Sequence, residues 1–221
     1  MKMDAVGAVI LAAGGSSRLG QPKQFLRHEG ETLIRRSARA ALDGGCAPVV
    51  IVVGSDGPRI AHEVADLSVC VVEHPEWQRG IGTSIRAGLR QTLALTPALD
   101  AVVIMVCDQL FVRAELIATL LARNASERMN VASTYAEILG VPALFTRSFF
   151  GRLTSLPDDR GARHLLAQCR DEVVPVAFPG GEIDMDTAAD CGAHLREAAV
   201  PTRARMAEVK VRQAARSGAI V

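Results

Sequence analysis

The chain has 221 residues, 49% of them hydrophobic, which is enough for one large packed domain and too apolar for a disordered chain. Its 25 Lys and Arg nearly cancel 24 Asp and Glu, so no global field recruits nucleic acid or an anionic membrane, and any polyanion must be met locally. Aromatic residues make up only 4%, with one Trp and one Tyr, which speaks against a base-stacking single-strand binder and against an all-β module.

Cys46, Cys70, Cys107, Cys169 and Cys191 are scattered, odd in number and without a CxxC pair. Neither a disulfide framework nor a zinc knuckle is suggested, and a reducing cytoplasm is the expected setting. The longest apolar stretch, Ala5 to Ala13, is half of the roughly 20 residues that a membrane span needs, so none is expected. Asp4 interrupts the basic start a signal peptide would carry, which favours a strand.

That strand, Val6 to Leu11, runs into Ala12-Ala13-Gly14-Gly15-Ser16-Ser17-Arg18-Leu19-Gly20-Gln21-Pro22-Lys23. A small-residue loop at the carboxyl end of a parallel strand exposes backbone N–H groups to an anion, and a triphosphate fits. The spacing is neither GxxxxGK[ST] nor GxGxxG, which also sets aside a dinucleotide-binding oxidoreductase. Arg18 and Lys23 could together neutralise the charge building on a leaving pyrophosphate, or could simply be surface cations on a Gly-rich turn. Lys23 is read here as an exposed loop lysine, whose removal would lower turnover far more than stability.

Thr32 predicts an N-cap for a helix carrying Leu33, Ile34, Ala38, Ala41 and Leu42 inward, with Gly44-Gly45 as its stop. Strands follow at Val49 to Val53 and Val69 to Glu73. Trp77-Gln78-Arg79-Gly80-Ile81-Gly82-Thr83-Ser84 reads as a loop entering a helix, where Gly80 and Gly82 would let backbone approach a base edge. Ser84 could donate to a pyrimidine carbonyl or cap the helix, and Trp77 reads as a packing residue.

The next strand, Ala101 to Val106, ends in Cys107-Asp108-Gln109, and its carboxylate could hold Mg2+ or cap the following helix. That helix, from about Arg113, turns Leu116, Ile117, Leu120 and Leu121 to one side. Strands at Val131 to Tyr135, Pro142 to Phe145 and Val173 to Phe178 complete the pattern, and the alternation predicts a predominantly parallel sheet covered on both faces. Asp184 and Asp186 could bind metal, and Asp186 or Thr187 could cap a helix through residue 197. No internal repeat or low-complexity linker splits residues 1–197, which are expected to form one domain. From residue 196 onward Arg196, Arg203, Arg205, Lys210, Arg212 and Arg216 face only Glu197 and Glu208, so residues 198–221 read as a basic, solvated C-terminal tail. The histidines have no metal spacing.

Leu11 to Gln24 resembles the LAAGxSxRxGxPKQ signature of the nucleotidyltransferases related to molybdenum cofactor cytidylyltransferase. Guanylyltransferases of that superfamily usually carry LAGG and an acid before the lysine, where this chain has Ala13 and Pro22, so the resemblance leans towards CTP. Methylerythritol-phosphate cytidylyltransferase typically has a longer insert between arginine and lysine. Further segments resemble the family's CDQP, with Leu110 in place of proline, and its DIDTxxD, at Asp184 to Asp190. Others resemble its WxxGxxxSxxxG, at Trp77 to Gly88, its GxPxLF, at Gly140 to Phe145, and its GDxGAR, where Asp158 replaces glycine.

The resemblance, which covers residues 5–197, implies a three-layer α/β/α Rossmann-like nucleotidyltransferase fold with a predominantly parallel, mixed sheet. It implies Arg18 and Lys23 as catalytic cations, Mg2+ held by Asp108 and Asp186, and Arg163 on an acceptor phosphate. The nucleotide would meet Leu11, Ala12, Ala13, Gly14, Gly15, Ser16, Gly80, Gly82 and Ser84. The implied reaction moves CMP from CTP to the terminal phosphate of Mo-molybdopterin and releases pyrophosphate. The rival readings are the same fold acting on another phosphorylated acceptor, and a noncatalytic carrier that hands the cofactor to a molybdenum hydroxylase.

Overall fold

Every residue of β1 (Val6–Ala12) is buried, and successive side chains feed opposite faces: Ala8, Ile10 and Ala12 join one apolar cluster, Val9 and Leu11 another. In the computed structural model, which describes residues 5–14 and 22–183, β1 is flanked in parallel by β4 (Val49–Val53) and β6 (Ala101–Val106). Both flanking strands divide their side chains between the same two clusters. Runs of Val and Ile are therefore apolar on both sides, as central strands of a doubly covered sheet must be.

The seven-stranded sheet has the order β5 (Val69–Glu73), β4, β1, β6, β8 (Ile138–Thr146), β7 (Asn130–Tyr135), β9 (Val173–Ala177). Only β8 runs against its neighbours, so the sheet is predominantly parallel and mixed, as expected. One face is covered by α1 (Leu33–Asp43), α2 (Gly57–Glu63) and α4 (Ala114–Glu127), which send in Ile34, Ala38, Ile60, Ile117 and Leu120. The other is covered by α3 (Ile81–Leu95), α5 (Phe150–Thr154) and α6 (Ala162–Gln168), through Ile85, Leu89, Leu153, Leu165 and Leu166. Each large aliphatic side chain enclosed in this way contributes about 1.5–3 kcal/mol. The outcome is the three-layer α/β/α arrangement.

Thr32 caps α1 by accepting the Arg35 N–H at 3.4 Å. β8 begins at Ile138, well before Pro142, and pairs with β7 through the two-residue turn Ala136-Glu137, whose φ angles are 45° and 62°. Such a turn is ordinarily announced by Asn-Gly. A second small ribbon, β2 (Arg27–His28) with β3 (Glu31–Thr32), turns through Glu29 and Gly30, also at positive φ. α3 lies close on the sheet because Gly88 faces Val9 and Val52, and a Cβ there would collide with both side chains. No described helix is long and apolar enough to cross a membrane. The boundary expected at residue 197, and the tail after it, lie outside the described residues.

Candidate active site

β1 and β6 are parallel neighbours, but the chain leaves β1 towards β4 on one side and reaches β6 only after β5, so a crevice opens beyond their carboxyl ends. A cleft of about 320 Å³ occupies that place. Leu11, Ala12, Ala13 and Gly14 come to it from the end of β1, and Val106, Cys107 and Asp108 from the end of β6. Lys23 and Gln24 enter from the 3-10 turn Lys23–Phe25, Trp77 and Gln78 from the 3-10 turn Trp77–Arg79, and Ile81 and Ser84 from the start of α3.

At the floor the Lys23 ammonium is in contact with the Asp108 carboxylate, 85 residues away in sequence. Both side chains are largely buried, 19% and 12% exposed, which corrects the reading of Lys23 as an exposed loop lysine. Removing it would leave a largely buried carboxylate without this counter-charge, so stability depends on it. Asp108 does not cap the following helix: α4 starts at Ala114 with Arg113 in the flanking position. Leu110, where the motif usually has proline, is buried in a turn closed by the Val112 N–H on the Gln109 carbonyl at 3.3 Å. The turn forms without the proline.

Two glutamines that the motif reading did not single out position these groups. The Gln24 amide donates to the Ala12 carbonyl at 2.6 Å and the Gly14 carbonyl at 3.3 Å, tying the lysine turn to the end of β1. The Gln109 amide donates to the Gly181 carbonyl at 3.0 Å, tying the end of β6 to the segment that precedes Asp184. Both side chains are buried, and their position beside Lys23 and Asp108 was the signal available in the sequence.

Ser84 lines the cleft and is not the helix cap, since Gly80 holds the cap position and Thr83 Oγ1 donates to its carbonyl at 2.7 Å. Gly80 and Gly82 do allow a close approach, but by the protein's own chain. A Cβ on either would strike the backbone of Pro157 or Asp158, and the Gly82 N–H donates to the Asp158 carbonyl at 2.8 Å. The base-edge role expected of these two glycines meets backbone where a ligand was expected. Trp77 packs its indole over Gly54, where a Cβ would come within 2.9 Å, and also borders the cleft. Arg163 sits exposed on α6 and is not among the described residues lining the cleft. Gly15, Ser16, Arg18 and Asp186 lie outside the described residues.

Burial pushes the Cys107 thiol up to about 12, with the Asp108 charge acting in the same direction, so the cysteine beside the carboxylate stays protonated and inert at neutral pH. Among the described residues no cluster of three or more His, Cys, Asp or Glu could cage a metal. Asp108 offers one carboxylate in the cleft that Ala12, Ala13 and Gly14 also line, and Mg2+ is an ion that keeps several waters and binds through one or two carboxylates together with substrate phosphates.

The description "MobA-like NTP transferase domain" belongs to the family model that matches residues 8–173. A bifunctional IPC transferase and DIPP synthase of Rubrobacter xylanophilus is 42% identical over 93 residues, 39% of this chain and 21% of that protein. A nicotine blue oxidoreductase of Paenarthrobacter nicotinovorans is 37% identical over 87 residues, 39% of this chain and 43% of its own. The molybdenum cofactor cytidylyltransferase of Escherichia coli is 33% identical over 88 residues, 39% of this chain and 45% of its own. The matches thus span less than half the length of these relatives. Among solved structures, Rv0371c from Mycobacterium tuberculosis superposes with a TM-score of 0.75 at 28% identity, covering 89% of this chain and 100% of its own. Its complex with manganese superposes with a TM-score of 0.72 at 25% identity over the same shares.

Proposed function

From the premise that the chain belongs to the MobA-like NTP transferase family, we propose that it moves CMP from CTP to the terminal phosphate of Mo-molybdopterin. The observation that carries nucleotidyl transfer is the Lys23–Asp108 pair at the floor of the cleft between the ends of β1 and β6. An oxygen of the acceptor phosphate attacks the α-phosphorus; the new O–P bond forms as the bond to the β-phosphate oxygen breaks, and pyrophosphate leaves with the electron pair. A phosphate nucleophile is already ionised at neutral pH, so no general base is required.

The protein's share is positioning and charge neutralisation. Backbone around Ala12 to Gly14 holds the triphosphate, and Lys23, with Arg18, meets the charge that grows on the leaving pyrophosphate. Asp108, with Asp186, would hold a divalent metal, Mg2+ in this reading. When bound, that ion neutralises phosphate oxygens and aligns the triphosphate. In the free protein the Lys23 ammonium is in contact with the Asp108 carboxylate, and the two side chains would part to take up these two roles. Ser84 and Ile81 form the wall against which the base lies. Arg163 would meet the acceptor phosphate.

CTP as donor and Mo-molybdopterin as acceptor are supported by the Ala13 and Pro22 signature and by the likeness to the E. coli enzyme. The relatives carry names of several different activities, so the acceptor is the part to test. Incubation of α-labelled CTP with a panel of phosphorylated acceptors should yield a labelled dinucleotide with Mo-molybdopterin alone. Labelling of a different acceptor would leave the chemistry and overturn the substrate. Tight, stoichiometric binding of the molybdenum cofactor without release of pyrophosphate would favour a carrier for a molybdenum hydroxylase.

A further inference from the structure

Asp158 lies in the turn between α5 and α6 and grips two arginines 79 and 72 residues before it. Its Oδ2 accepts from Arg79 Nη2 at 2.8 Å and Nε at 3.1 Å, while its Oδ1 accepts from Arg86 Nη2. Arg79 ends the 3-10 turn that contributes Trp77 to the cleft, and Arg86 lies in the second turn of α3. The Asp158 carbonyl also takes the Gly82 N–H, one of the first donors of α3, a helix with no side-chain cap of its own. The bare backbone of Gly80 and Gly82 is what lets the turn come this close.

The corner held in this way is a thin wall. Trp77, Gln78, Ile81 and Ser84 face the cleft, while Arg79, Thr83 and Arg86 face a second cavity of about 470 Å³ on the other side. Ile85 anchors the start of α3 in the core and Trp77 packs over Gly54, while the polar side of the corner is tied to the turn before α6 through Asp158. A single exposed ion pair would add little, but one carboxylate bound by two guanidiniums, together with a backbone cap, fixes direction as well as distance. We infer that Asp158 is a positioning residue, a latch that sets the Trp77–Ser84 wall of the nucleotide cleft from behind. The part of this inference that concerns nucleotide rests on the function proposed above.

Two measurements on Asp158→Asn, which keeps the shape and removes the charge, test the latch. Hydrogen exchange needs no substrate: amides of residues 77–86 should exchange faster in the variant while the central strands stay protected. Trp77 is the sole tryptophan, so its fluorescence follows nucleotide binding, and the NTP dissociation constant should rise about tenfold. Asp158→Glu, with the charge on a longer arm, should recover part of that loss. Should Asp158→Asn fail to fold, Arg86→Lys, which keeps the charge and loses the fork, should show the same effects in smaller measure. Unchanged exchange over residues 77–86 would overturn the latch. Faster exchange with unchanged nucleotide affinity would overturn its role in positioning the cleft wall. A wild-type protein whose fluorescence responds to no NTP would overturn the proposed function, and exchange alone would then decide the latch.

Discussion

An ammonium and a carboxylate in contact are each other's substitute for water, and this governs what substitution at Lys23 does. Lys23→Met should cut pyrophosphate release about 10²–10³-fold. It should also cost about 1–3 kcal/mol in urea unfolding, because Asp108 loses its partner in a largely buried place. Lost activity with unchanged stability would mean that the pair is not formed in solution. Burial also pushes Cys46 up to about 12, as it does Cys107, so neither thiol should react with a disulfide reagent at pH 8 until the protein is unfolded. Mass mapping of the labelled cysteines checks this. Lys23 and Asp108 were each legible in the sequence, one after a small-residue loop and the other at a strand end. Their pairing was not, because it depends on β1 and β6 being neighbours, a property of topology. Gln24 and Gln109 were missed for a related reason: a glutamine gives no sign in sequence of which backbone carbonyl it will reach.

At the scale of elements, α3 carries the most consequence, since it packs on the central strands and also supplies Ile81 and Ser84 to the cleft. Gly88→Ala should destabilise the protein by about 1–3 kcal/mol, because the added methyl has only Val9 and Val52 to displace. Chemical denaturation measures it, and a neutral result would show that the helix can move off the sheet at no cost. His74, whose Nε2 pairs with Thr83 Oγ1 at 2.8 Å, is held below the ordinary histidine range, mainly by burial, with Arg86, Arg90 and Arg79 acting in the same direction against Glu76. Its neutral form is therefore the one the fold prefers. The stabilisation is complete above the unfolded histidine's pKa and is shed as pH falls through the lowered native value, because the unfolded chain takes a proton that the native one refuses. His74→Gln should flatten the slope of stability between pH 7 and 5. Asp158 is displaced downward by its hydrogen bonds from Arg86 and Arg79, so the latch should persist at those pH values and open only below the usual carboxylate range. The continuous Val and Ile runs made β4, β5 and β6 legible to the residue. The β7–β8 hairpin was not, since Ala136 and Glu137 take a turn conformation that their side chains do not announce.

For the molecule as a whole, the order of the strands makes the site. It brings the end of β1 and the Lys23 turn to a carboxylate 85 residues after that lysine, and places the 3-10 turn Trp77–Arg79 and α3 as a wall beside them. The covered, predominantly parallel sheet followed from composition and alternation, whereas the reversed β8 and the packing of residues 157–160 under α3 depend on contacts between distant segments. If the divalent metal is held by Asp108 and the substrate phosphates, chelation should abolish turnover and leave the unfolding transition nearly unchanged, because no protein cage is lost with the ion. A large fall in melting temperature on adding chelator would point to a structural metal. The most direct test of the central claim is pyrophosphate release from each of the four NTPs, with Mg2+, in the presence and absence of Mo-molybdopterin. Release that needs both CTP and the molybdenum cofactor, and that falls with Lys23→Met, is the predicted result. A folded protein that binds CTP and the cofactor together, yet releases pyrophosphate from no NTP, would contradict it.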